Sequence, residues 1–151
     1  MDLQKIIRKE CCTMLHESRK TEVLLELLDL IGQTGLIEDM ENLKKEIFYR
    51  EQLMSTGIGL GIGIPHVRFG QIGEPIAAVG VQPKGIKDYE SIDDEAVRIV
   101  IMIIVGRNQH KEHIRLLSLI VGRLKQEGVK DSLLRAENPQ QIHTIVTGST
   151  P

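Results

Sequence analysis

The chain has 151 residues, enough for one domain around a single core, and a formal net charge of −2. That balance gives no general attraction for nucleic acid, and two Phe, two Tyr and no Trp offer few platforms for stacked bases. The longest apolar run, residues 99–105, is far too short to cross a bilayer, and residues 1–10 alternate charge with aliphatics where a signal peptide would be continuously apolar.

The only cysteines, Cys11 and Cys12, are adjacent. Neighbouring side chains on an extended chain point apart, so a bridge between them would be strained, and no spaced second pair makes a zinc motif. A reduced, semi-buried pair is expected. Ser18 and Thr21 then precede Val23, Leu24, Leu27, Leu28 and Ile31, whose spacing is helical, and Gly32 and Gly35 mark the end of that helix. A second helix is predicted over residues 39–54, burying Leu43, Ile47 and Leu53.

Residues 55–66 read Ser-Thr-Gly-Ile-Gly-Leu-Gly-Ile-Gly-Ile-Pro-His. Period-two alternation predicts a strand with the odd-numbered glycines on one face and the aliphatics on the other, leaving the glycine face open to close approach by backbone or ligand. Pro65 cannot donate to a ladder, so it should end the pairing and release His66 at the strand terminus. A dinucleotide fingerprint fails because its third glycine falls on Ile62 or Ile64, and no Lys-Ser or Lys-Thr completes a phosphate-binding loop. On pattern alone this is either a histidine placed for chemistry or a buried glycine-rich strand with an incidental one.

Residues 76–81 read as another strand, ended by Pro83 and Lys84-Gly85. Residues 99–105 are apolar at every position, which suits a central strand covered on both faces, closed by Gly106-Arg107-Asn108. A long amphipathic helix over 109–127 carries His113, Leu117, Ile120 and Leu124 on one stripe, and 131–136 is a short helix. Asn138-Pro139 supplies an N-cap and first-turn proline for a last helix through Ile142, Ile145 and Val146. Helices bracketing apolar strands predict a single α/β domain over 1–151, a layered mixed β-sheet flanked by helices.

The chemistry-bearing residues each have an ordinary structural explanation as well. His113 opens a helix beyond the central strand, where α/β sheets usually place their sites, but an inward histidine is also a common core residue. The planar fork of Arg50 suits phosphate oxygens, yet it also fits an exposed helix end. Ser55 and Thr56 either donate hydroxyls to a phosphate or cap the turn. His110 reads as a surface residue, and Arg68 as an edge residue able to meet an acidic partner. A zinc site of His66, His110 and His113 lacks any His-Glu-x-x-His pattern, and no Gly-x-Ser-x-Gly elbow is present for a hydrolase.

Arg50-Glu51-Gln52-Leu53, Ser55-Thr56-Gly57-Ile58-Gly59 and Gly63-Ile64-Pro65-His66 together resemble the enzyme IIA domain of the fructose/mannitol type, to which the nitrogen-regulatory IIA proteins also belong. Asp93-Asp94-Glu95-Ala96-Val97 and Glu112-His113-Ile114 extend the resemblance over nearly the whole chain. These are phosphocarriers of the bacterial phosphoenolpyruvate-dependent sugar phosphotransferase system. With no spanning run or signal peptide in the sequence, a soluble cytoplasmic protein is expected. The resemblance implies that it takes phosphate from phospho-HPr on Nε2 of His66 and yields it to a cysteine of a IIB protein or domain, in company with a membrane permease. It implies that His113 stands beside His66 and helps hold the phosphoryl group, that Arg50 lines the site, and that no metal or organic cofactor takes part. For a nitrogen-regulatory relative, the acceptor is replaced by a target protein bound according to phosphorylation state. The length suggests a free-standing IIA protein. Three positions depart from the family: Gly63 where alanine is usual, Val67 where Gly or Ala is common, and Gly106 where proline often follows the strand.

Overall fold

The computed structural model describes residues 2–70 and 72–148, and the rest of the 1–151 domain expected from sequence lies outside them. The apolar run became β6 (Val97–Val105), the spine of a six-stranded mixed sheet. Alternation along β6 sends its side chains to two separate cores. Ile99, Ile101, Ile103 and Val105 pack with Leu116, Ile120 and Leu124 of α4 (His110–Lys125), Leu133 of α5 (Val129–Leu134), and Ile142 and Val146 of α6 (Pro139–Thr147). Val100, Met102 and Ile104 pack on the opposite face with Leu24, Leu27 and Ile31 of α2 (Lys20–Gln33) and Leu43 and Ile47 of α3 (Met40–Leu53). Burial on both faces is why no polar residue interrupts 99–105. The predicted N-cap is in place, with Asn138 accepting from the Gln141 amide.

The sheet order is β1-β5-β6-β3-β2, with β4 also on β6. β5 (Ile76–Ile86) runs antiparallel to β6, while β3 (Ile62–Gly63) and β4 (His66–Arg68) run parallel to it. The edge strand β1 (Ile7–Met14) follows a single turn, α1 (Leu3–Ile6), and is parallel to β5. Neither element was expected from the sequence. Arg8, Lys9 and Glu10 face solvent on β1, and a register shift between Ile7 and Cys12 interrupts its alternation. Cys11 and Cys12 are free, and they fall in opposite cores, Cys11 on the α2–α3 side and Cys12 on the α4–α6 side. Burial raises both thiol pKa values, that of Cys12 to about 12.

The single strand predicted over 55–66 is a tight hairpin instead. β2 (Gly57–Gly59) and β3 pair antiparallel, with Gly57 opposite Gly63. The reversal is made by Gly59, Leu60 and Gly61, at φ 92°, 62° and 79°. Glycine adopts that left-handed region without strain, and the residues 90–93 loop holds the turn: Gly59 N donates to Ser91 Oγ (3.0 Å) and Leu60 N to Asp93 Oδ2 (2.9 Å). The expected close approach does occur, because a Cβ on Gly57 would stand 2.1 Å from the Glu90 carbonyl oxygen. Pro83 does not end β5 either. It is exposed at a stretch where the β5–β6 register shifts between Val81 and Ile86, so its missing N–H breaks no ladder bond.

Gly63, where the family usually has alanine, faces Tyr89, which is only 5% exposed. A methyl there would lie 2.7 Å from Tyr89 Cζ and 2.8 Å from its hydroxyl. Gly63→Ala is therefore expected to destabilise the domain by about 1–3 kcal/mol through overpacking, read as a lowered urea midpoint. Val67, the second departure, packs 1% exposed into the α2–α3 core.

Candidate active site

Pro65 separates β3 from β4, and its carbonyl accepts from Ile103 N (2.9 Å). His66 therefore opens β4, in register with Ile103, and does not trail from the end of a strand as the alternation suggested. Val67 points into the core, and His66 and Arg68 share the other face. Nδ1 of His66 stands 2.7 Å from the Ile64 carbonyl oxygen. A carbonyl can only accept, so Nδ1 carries a proton, and the tautomer this selects has Nε2 as its bare lone pair.

His113 lies half-buried in the first turn of α4, its ring centroid 5.0 Å from that of His66 at an interplanar angle of 58°. Among the described residues, its Nε2 is a buried side-chain nitrogen with no hydrogen-bond partner. Burial lowers its pKa to about 4, aided by the positive fields of His66, Arg68, Arg50 and His110. At neutral pH His113 is an uncharged imidazole short of one partner. The positive end of the α4 backbone dipole lies at the same spot.

Arg50 sits exposed in the last turn of α3 and borders, with His66, an open groove of about 480 Å³. Apolar side chains make most of the groove wall, among them Leu53, Met54, Ile58 and Leu117. Leu53, expected to be buried, is 67% exposed on this rim. Arg68 and His110 are joined to each other, with Arg68 Nη1 2.9 Å from His110 Nε2, so the arginine is less free than an open edge residue.

Ser55 and Thr56 border the groove, but their hydroxyl protons are already committed. Ser55 Oγ donates to the Glu90 carbonyl (2.7 Å) and accepts from Lys20 Nζ (3.3 Å). Thr56 Oγ1 donates to the Glu51 carboxylate and accepts from the Tyr89 hydroxyl (2.7 Å). Glu51 also forms an ion pair with Lys20 Nζ at 2.7 Å. That ammonium lies 4.3 Å from the centre of the Tyr89 ring. Burial and the Glu51 charge hold the Tyr89 phenol protonated. Sequence reasoning missed Lys20, Glu51 and Tyr89 as a group. Only Glu51, beside Arg50 in the motif, carried any local signal. Gly106, the third departure, donates its N–H to Gln109 Oε1 at 2.6 Å, a bond that proline could not make.

A family model described as "Phosphoenolpyruvate-dependent sugar phosphotransferase system, EIIA 2" matches residues 5–148. The chain belongs to this family. It is 32% identical over 146 residues to the PTS system fructose-specific EIIA component of Haloferax volcanii, covering 96% of this chain and 94% of that one. Over 147 residues it is 31% identical to the PTS system fructose-specific EIIABC component of Bacillus subtilis; that match covers 97% of this chain and 23% of the larger protein, so the chain spans less than a quarter of it. Among solved structures, the nitrogen regulatory protein IIA-Ntr from Neisseria meningitidis has the same fold, with a TM-score of 0.81 at 22% identity over 95% of this chain and 97% of that one. EIIA membership assigns the chain a transferase role in phosphoryl transfer. No helix among the described residues is long and apolar enough to cross a membrane.

Proposed function

We propose that Nε2 of His66 is the phosphoryl acceptor of this EIIA chain, with phospho-HPr as donor and a IIB cysteine as recipient. In the first step the Nε2 lone pair attacks phosphorus and the donor's bond to phosphorus breaks, leaving the electron pair on the donor. In the second, a thiolate attacks the same phosphorus and the Nε2–P bond returns its pair to His66. The observation that carries this reading is the Nδ1–H bond to the Ile64 carbonyl, which in the neutral tautomer leaves Nε2 bare, with the ring of His113, whose Nε2 has no partner, centred 5.0 Å from the His66 ring.

His113, as its Nε2–H tautomer, donates to a phosphoryl oxygen and so gains the partner it lacks. Arg50 and the start of α4 supply positive charge for the equatorial oxygens. Ser55 and Thr56 give the groove its floor, their hydroxyls serving the scaffold. The apolar rim suits a protein partner better than a free sugar.

A regulatory role uses the same histidine. A phosphoryl group brings nearly two negative charges to a groove with an apolar rim, enough to change which protein binds there.

Incubation with phosphoenolpyruvate, enzyme I and HPr should add one acid-labile phosphate, seen by intact-mass measurement. A folded chain that stays unmodified beside phosphorylated HPr would defeat the proposal.

A further inference from the structure

The Ile64 carbonyl that fixes the His66 ring lies outside the sheet. Ile64 sits between β3 and β4, followed by a proline with no N–H, and its own N–H donates to the Thr56 carbonyl at 3.0 Å. Thr56 is in turn fixed by the Glu51 carboxylate, which accepts from its N–H (3.3 Å) and its hydroxyl. Glu51 is 8% exposed, one of two buried polar side chains among the described residues, and it is the junction of three elements. Lys20 reaches it from the start of α2, and Tyr89 reaches Thr56 from the loop after β5, across the space left by the absent methyl of Gly63. A continuous set of contacts therefore runs from the Lys20–Glu51 ion pair, whose carboxylate is buried, to the His66 ring.

We propose that Glu51, braced by Lys20 and Tyr89, is a positioning residue that selects the His66 tautomer through Thr56 and the Ile64 peptide. The inference rests on His66 as the phosphoryl acceptor, and it adds a role for buried groups that touch neither phosphate nor partner. Were Ile64 to shift, the Nδ1 bond would lengthen and the proton would redistribute to Nε2, the atom that must be bare to attack. Tyr89 is the part of this device tied to Gly63, because an alanine there would displace its ring.

The test uses full-length protein carrying 15N-labelled histidine. Long-range 1H–15N spectra report the His66 tautomer, and single-turnover transfer from phospho-HPr reports rate and KM separately. Wild type should show Nδ1–H. Thr56→Val and Tyr89→Phe, both close in shape to the native residues, should shift the proton toward Nε2 and slow transfer roughly 10- to 100-fold at unchanged KM, in keeping with small misplacements of reacting groups. Thr56→Ser, which retains the hydroxyl, should restore both. Because Glu51→Gln alone strands the Lys20 charge, it is paired with Lys20→Met, and this double variant should show the same tautomer shift. Folded variants with the wild-type tautomer overturn the proposal, whatever their rate. A wild type that takes no phosphate defeats the assignment of His66 as acceptor, while the spectra still decide whether Glu51 sets the tautomer.

Discussion

Replacing His66 with alanine should abolish phosphorylation by phospho-HPr and leave the fold intact. The imidazole is half-buried at the mouth of a groove, so its loss opens no sealed cavity. The strand that carries it is held through Pro65 and Val67, whose bonds and packing are untouched. No neighbour can replace the nucleophile. His113, as its Nε2–H tautomer, has no lone pair on that nitrogen to attack with, and His110 is engaged with Arg68. Intact-mass spectra should show one phosphate on wild type and none on the variant, with matching circular dichroism. Phosphate retained on His66→Ala would move the acceptor elsewhere.

His113→Ala should still accept phosphate, but about 100-fold more slowly, the scale on which removing one transition-state hydrogen-bond donor acts. Stopped-flow transfer from phospho-HPr measures it, and an unchanged rate would exclude His113 from the site. The same variant has a signature in acid. The folded-state pKa of His113, about 4, lies below its ordinary 6.5, so the unfolded chain binds the proton more readily. Stability from the neutral ring is fully present above about pH 6.5 and is lost as pH falls toward 4. Urea midpoints compared at pH 7 and pH 4.5 should fall less for His113→Ala than for wild type. Equal falls would mean that the histidine is charged in the native state.

The layers were legible in the sequence wherever one periodicity governed a long segment. The unbroken run 99–105 identified the central strand, and the stripes of α2 and α4 identified helices on its two sides. Arg50 and His66, singled out from the motif, border one groove, and the His113 ring is centred 5.0 Å from that of His66. What was not legible depends on partners distant in sequence. The alternation of 57–63 satisfies one strand or two, and only the residues 90–93 loop, more than thirty positions on, decides for the hairpin. Nothing local in β1 marks it as a strand, because its charged middle needs to satisfy only one neighbour. The commitment of Thr56 to Glu51 and Tyr89 was equally hidden, since a hydroxyl in a loop carries no record of what it meets.

The anchoring of β4 to β6 has a consequence for how the protein loses activity. His66 and Val67 pair with Ile103 and Ile104, and Phe69 N bonds to Val105 O at 2.7 Å, all on the strand shared by both cores. The amides of Ile103 and Phe69 should be among the slowest to exchange with deuterium, opening only when the whole domain unfolds. The Leu60–Gly61 tip and the groove rim can fray on a faster clock without dismantling the reacting centre. Heat or denaturant should therefore abolish transfer in the same transition that melts the sheet, with no inactive folded species preceding it.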